Sequence, residues 1–255
     1  MNFNEKLQEY YSSGYEKTRL ASDKAHSIEF ITTIHYFDEL LPRESKVLDC
    51  CAGGGIYSYY LAEKGFNVTA ADLSSDNVEI IKANKKSELL SGIYNLNVLD
   101  MSVFKDESFD VVLCMGAFYH LKSKKERTKC IAECLRVLKK GGIFVLAYIN
   151  RNPCVLYQFF QNPKDIAKQA ELIKTGDNNL FYTAGFDEIG KIVKKFNLTK
   201  IKNIGVDGSA YPLQKKINSL NKKRFNDFMN YHFSVCEEPS VIGNSMHGLL
   251  IAGKG

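Results

Sequence analysis

Apolar and polar positions along the chain alternate between two rhythms. Short unbroken apolar runs, KVLDCC (46–51), NVTAAD (67–72), NLNVLD (95–100), FDVVLCMG (109–116) and GIFVLAYIN (142–150), have the length and β-branched content of buried strands. Between them, IYSYYLAEKG (56–65), SSDNVEIIKANKKSELL (74–90) and KSKKERTKCIAECLRVLKKGG (122–142) carry apolar residues three and four apart, as helices with one buried face do. The punctuation agrees. Gly65 follows Lys64 as a helix stop, and Ser74, Ser75 and Asp76 open the next helix as capping residues. Lys139, Lys140 and Gly141 close the third, with cations at the negative end of its dipole. Continuous apolar strands separated by helices predict a parallel sheet covered on both faces.

The flanks have a different texture. Residues 1–40 read as helical, with no proline before Pro42, and form an N-terminal lid segment ahead of a domain over 41–255. After residue 150 the rhythm breaks into helical insertions at about 151–180 and 209–245. Around them lie a helix over 187–197, a strand over 198–208 and a last strand, HGLLIAGK, over 247–254. No linker rich in proline, glycine or serine separates these parts.

Composition narrows the function classes. With 255 residues, 45% of them hydrophobic, the chain is long enough for one large core. Its formal net charge of +5 is scattered in short lysine pairs with no interleaved aromatics, which argues against a nucleic-acid partner. The seven cysteines are odd in number and show no CxxC or Cys/His spacing, so no metal site is expected and a reducing, cytoplasmic setting is. The first residues lack the pattern of a signal peptide, and no apolar run is long enough to span a membrane.

The chemistry concentrates in VLDCCAGGGIYSYYLAEKGFNVTAADLS. Gly53, Gly54 and Gly55 follow the first strand, where open α/β sheets bind their ligands, and let the backbone approach a ligand without Cβ obstruction. Two ligand classes use such a turn. A dinucleotide site requires G-x-G-x-x-G, but counting from Gly53 reaches Gly55 and then Ser58, so the third glycine is missing. The pattern is instead D-x-x-x-G-x-G, with Asp49 at its head, which suits a ligand bearing a cationic amine. Asp72 at the end of the second strand stands where a ribose diol is gripped, and Asp100 ends the third run, followed by Met101. A ribose, an adenine and an ammonium without phosphate describe S-adenosylmethionine.

With VLDCCAGGG, VTAADLS, NVLDM, FDVVLCMGAFYHL and LRVLKKGGIFVLAYIN in this order over roughly residues 40–150, the chain resembles the class I S-adenosylmethionine-dependent methyltransferases of small-molecule type. The resemblance implies an α/β fold: a doubly wound, mostly parallel seven-stranded sheet with an antiparallel last strand and helices on both faces. It further implies that Asp49 and the backbone of Ala52, Gly53, Gly54 and Gly55 hold the methionine part. Asp72 would grip the ribose with Leu73 against the adenine, Asp100 the adenine amine with a backbone contact from Met101, and Met115, Gly116 and Ala117 would line the methionine side. Tyr11, Tyr15 and Arg19 would cap it from the lid. Cys51 stands where the family more often has glycine.

The resemblance also implies methyl transfer to an O, N, S or C atom of a small-molecule acceptor, with S-adenosylhomocysteine as product and the chain a monomer or homodimer. His120, in the loop that faces the reactive methyl in similar enzymes, either accepts a proton from a substrate hydroxyl or thiol or bonds a neighbouring carbonyl structurally. Tyr148, Asn150 and Arg151 are expected on the substrate side, and His247 is expected to be structural. An RNA methyltransferase, a nicotinamide-dependent dehydrogenase and a non-catalytic cofactor-binding protein are the rival readings.

Overall fold

The computed structural model describes residues 20, 22–164, 169–177 and 180–255. Tyr11, Tyr15 and Arg19 lie outside the described residues, and with them the expected lid contacts.

The chain alternates helix and strand: α1 (Lys24–Leu40), β1 (Lys46–Asp49), α2 (Ile56–Glu63), β2 (Asn67–Asp72), α3 (Ser75–Ala83), β3 (Gly92–Asn95), β4 (Phe109–Cys114), the short α4 (Ala117–His120), α5 (Lys124–Val137) and β5 (Leu138–Ile149). There follow α6 (Arg151–Gln161), α7 (Gln169–Thr175), α8 (Glu188–Lys195), β6 (Leu198–Gly205), α9 (Ala210–Asn218), α10 (Lys222–Val235), α11 (Pro239–Asn244) and β7 (His247–Lys254). The seven strands form one sheet in the order β3-β2-β1-β4-β5-β7-β6. Six run parallel and the last antiparallel, as the resemblance implies. The order reverses direction between β1 and β4, which is the switch point where such sheets hold ligands.

Two compact units make up the chain. The first comprises residues 36–147, 190–201 and 250–255 and contains β1 to β4. Its central strands carry no polar face: Val47, Leu48, Val68, Val111, Val112 and Leu113 are all fully buried. Each such side chain contributes about 1.5–3 kcal/mol by leaving water. β1 pairs in parallel with β2 and β4, Asp49 standing opposite Ala70 on β2 and Leu113 on β4. This pairing carries the ends of β1 and β2, and the loops that follow them, to one edge.

The second unit comprises residues 1–35, 148–189 and 202–249. Ala25, Ile28, Ala210, Ile217 and Met229 form its helical core. Here three expected substrate-side residues turn out to be tied into the fold. Tyr148 is buried, its hydroxyl donates to Asn203 Oδ1 at 2.8 Å, and burial pushes its pKa up to about 12. Asn150 donates to the carbonyls of Ile242 and Ser245, and Arg151 to those of Ile173 and Thr183. Their positions at the end of a strand pointed to a ligand; here the Asn203 side chain accepts from Tyr148, and backbone carbonyls of neighbouring elements from Asn150 and Arg151. His247 sits with Nδ1 2.7 Å from Asp207 Oδ2, an arrangement in keeping with a structural role.

Most strands match the apolar runs, but β5 starts early, at Leu138, so that Lys139, Lys140 and Gly141 lie in the strand and not at the end of a helix, and β3 does not match. The run NLNVLD begins where β3 ends, because Asn97 turns the chain there: its side chain accepts from Leu99 N–H and its carbonyl from Asp100 N–H. The strand itself is the edge segment GIYN, half exposed and too polar in pattern to stand out.

Candidate cofactor site

The turn after β1 is shaped by its glycines in different ways. Gly53 (φ 54°) and Gly55 (φ 84°) occupy the left-handed region that disfavours any side chain. A Cβ on Gly55 would also fall 2.9 Å from the Tyr59 ring. At Gly53 and Gly54 a Cβ would meet nothing within 4 Å, so the loop presents open space on its outer side. That is the cradle a bulky ligand such as the methionine end of S-adenosylmethionine needs. Ala52 N–H bonds the Ala71 carbonyl at 2.9 Å and Gly55 N–H the Ala52 carbonyl at 2.8 Å, which fixes the turn against β2.

Two carboxylates organise this loop. Asp72 holds it from outside: its Oδ2 accepts from Gly53 N–H at 2.8 Å, while Oδ1 accepts from Ser74 N–H at 2.9 Å and from the Asn77 amide at 3.1 Å. One side chain thus ties the glycine turn to the start of α3. Three donors occupy most of the roughly four lone-pair positions of a carboxylate, leaving room for about one more. Leu73, next along, is 62% exposed, a large apolar side chain uncovered at the edge where an adenine is expected.

Asp49 lies beneath the loop, 2% exposed, and accepts from Ser58 Oγ at 2.7 Å. Burial, helped by the negative charge of Asp72 and opposed by the bonds from Ser58 and Cys51, raises its pKa to about 7. A carboxyl in this state gains from a cation placed beside it, because the cation favours its charged form. Ser58 occupies the position where a dinucleotide loop would carry its third glycine, and here its hydroxyl holds Asp49 in place. Neither Ser58 nor Asn77 was singled out from the sequence as a site residue, although the missing glycine was the signal for the first.

The third acid is placed differently from expectation. Asp100 lies beyond the end of β3, exposed, accepting from Ser102 N–H, which together with the Ser102 side chain keeps its pKa below the usual carboxylate value. Met101 is wholly buried. Its N–H donates to Glu133 and its carbonyl accepts from Arg136, both at 3.0 Å, so the backbone contact assigned to it is made within the chain. Arg136 also bonds the Phe104 carbonyl and Asp106, clamping this loop onto α5.

After β4 come Met115, Gly116 and Ala117. A Cβ on Gly116 would lie 3.2 Å from Cβ of Cys51, so the two loops touch there. Where the family more often has glycine at the first loop, this chain has Cys51 and relies on Gly116 opposite it. His120 ends α4, half buried, with its ring 4.9 Å from that of Tyr119.

In sequence and in fold the chain is similar to known methyltransferases. A family model described as a methyltransferase domain matches residues 48–146. A ubiquinone biosynthesis O-methyltransferase of Nitrosomonas europaea is 28% identical over 190 residues, 69% of this chain and 80% of that protein. Its counterpart in Xanthomonas axonopodis is 33% identical over 132 residues, 50% of this chain; the present chain spans about half of that relative's length, 53%. In fold, the chain is similar to a SAM-dependent methyltransferase from Methanosarcina mazei (TM-score 0.57, 20% identity, covering 87% of this chain and 96% of that one). It is also similar to the 1,6-didemethyltoxoflavin-N1-methyltransferase of Burkholderia thailandensis (TM-score 0.55, 15% identity, 97% and 87%).

Proposed function

Taking as premise that residues 48–146 form a class I S-adenosylmethionine-dependent methyltransferase domain, we propose that the chain transfers the methyl group of S-adenosylmethionine to a small-molecule acceptor by direct in-line displacement. The observation that carries this reading is the open glycine turn, stapled by Asp72 above a buried Asp49.

S-adenosylmethionine, when bound, supplies a methyl group already activated by its sulfonium, so the chain's work is to bind, orient and exclude water. In this reading Asp49 and the backbone of Ala52 to Gly55 hold the amino-acid end. Asp72 uses its remaining acceptor capacity on the ribose, Leu73 covers the adenine, and Asp100 takes the adenine amine. Met115, Gly116 and Ala117 line the methionine side, and His120 removes the acceptor's proton where the acceptor is a hydroxyl. The names of the Nitrosomonas and Xanthomonas relatives favour an oxygen acceptor among O, N, S and C. The proposal includes a lid role for residues 1–40, a cytoplasmic setting consistent with seven free cysteines, a monomer or homodimer, and no nucleic-acid partner. Among the described residues no helix is long and apolar enough to cross a membrane.

Calorimetry with S-adenosylmethionine, S-adenosylhomocysteine and NAD tests the donor site: the first two bind and the third does not. Asp72→Ala and Gly53→Val each weaken S-adenosylmethionine at least tenfold. Unchanged affinity in both would refute the site. A panel of hydroxyl-bearing acceptors, read by S-adenosylhomocysteine release, tests the reaction.

A further inference from the structure

Five of the seven cysteines meet at one place. Cys50 and Cys51 follow β1, Cys114 ends β4, and Cys130 and Cys134 share the buried face of α5. The Sγ atoms of Cys50, Cys51 and Cys114 lie within 4.8 Å of one another, and so do those of Cys114, Cys130 and Cys134. Individual separations are 3.7 Å for Cys50–Cys51, 3.9 Å for Cys50–Cys134 and 3.7 Å for Cys114–Cys130. None is a disulfide, which would need about 2.05 Å. Sulfur atoms bound to one tetrahedral ion at ~2.3 Å stand ~3.8 Å apart, so these three separations match ligation, and the other pairs in each triad, all within 4.8 Å, would close by about 1 Å or less on binding.

The donor set has a definite chemistry. It is all sulfur, with neither histidine nor carboxylate in either triad, and such sets select closed-shell thiophilic ions over hard ones. The triads share Cys114 as their common member. Cys51 alone of the five is half exposed and supplies the way in; the other four are buried. Packing would explain a small apolar residue at each position, but it gives no reason for sulfur at all five.

We propose that this cluster is a thiolate binding site for a thiophilic d10 cation, Zn(II) or Cu(I), lying directly behind the glycine turn. Each metal–sulfur bond that forms releases one thiol proton to solvent, and no electron is transferred. A three-sulfur site therefore releases three protons per ion. The site is independent of the methyl-transfer reading, since it depends on the thiols alone.

The test uses the whole chain, reduced and stripped of metal, under anaerobic conditions. Zn(II) and, separately, Cu(I) stabilised in acetonitrile are titrated against a chromophoric chelator while proton release is recorded. The expected result is one equivalent of at least one of the two ions withdrawn from the chelator, with about three protons released and a shell of sulfur at ~2.3 Å by X-ray absorption. The two arms show which ion the site prefers. Cys114→Ser, which removes the shared member, weakens binding at least tenfold, while Cys154→Ser and Cys236→Ser leave it within twofold. Failure of both ions to compete with the chelator overturns the proposal and leaves the thiols as packing groups. So does a light-atom shell without sulfur, or an equal loss in the Cys154 and Cys236 variants. Circular dichroism checks each variant; if Cys114→Ser does not fold, the X-ray absorption of the unsubstituted chain decides.

Discussion

At the scale of single residues, Asp49 sets a measurable dependence on pH. Its pKa of about 7 means that the free chain holds it protonated in mildly acidic solution. An ammonium bound beside it requires the ionised form. Affinity for S-adenosylmethionine therefore falls as pH drops below 7, approaching tenfold per pH unit, and Asp49→Asn removes both the affinity and its pH slope. Calorimetry between pH 5 and 8 reads this directly, and an affinity flat with pH would count against an ammonium beside Asp49. The glycines make a second residue-scale contrast. Gly55→Ala meets both a left-handed φ and the Tyr59 ring and should cost about 1–2 kcal/mol of stability. Gly54→Ala, with open space and no positive φ, should change thermal stability little while reducing cofactor affinity.

At the scale of elements, the loop from Asp100 to Asp106 depends on α5. Arg136 joins the carbonyls of Met101 and Phe104 to Glu133 and Asp106. Arg136→Ala leaves these carbonyls without that donor and should cost about 1–3 kcal/mol, with faster amide hydrogen exchange confined to residues 97–108. This is also the scale at which legibility divides. β2 and β7 coincide with their apolar runs because both are interior strands with continuous buried centres, Val68–Ala71 and Gly248–Ala252. β3 escaped because an edge strand has little apolar pattern to announce it. Asp49 and Asp72 could be read because their place after a strand is a matter of local order. The partners that define their chemistry, Ser58 and Asn77, required knowing how α2 and α3 return to the loop. The thiol cluster was invisible for a similar reason: spacing templates count along one segment, and these sulfurs come from three.

At the scale of the whole molecule, the balance of titrating groups shapes stability. Burial raises the Asp49 pKa above its unfolded value, so its contribution is full below about pH 4 and is lost as pH rises through about 7. Asp38 and Asp110 are lowered despite an opposing burial effect, Asp38 by Tyr60 and Lys64 and Asp110 by Lys139 and the Lys46 N–H. Their contribution is present above their unfolded values and is lost as pH falls through the lowered ones. Asp49 thus costs the ligand-free chain stability between pH 5.5 and pH 8, a decline that His232, whose pKa burial lowers, opposes over the same range. Asp49→Asn should flatten that decline, and saturating S-adenosylmethionine should raise the melting point more at pH 8 than at pH 5.5. Scanning calorimetry in matched buffers checks both.

The hydroxyl of Ser58 has a consequence for redesign. Restoring glycine there would complete the consensus of a nicotinamide-binding turn on paper, yet it would set loose the acid beneath it and confront an incoming pyrophosphate with an unrestrained carboxyl group. Converting this scaffold to hydride chemistry therefore demands paired exchanges at positions 49 and 58, and the single swap should yield a chain that accepts neither cofactor.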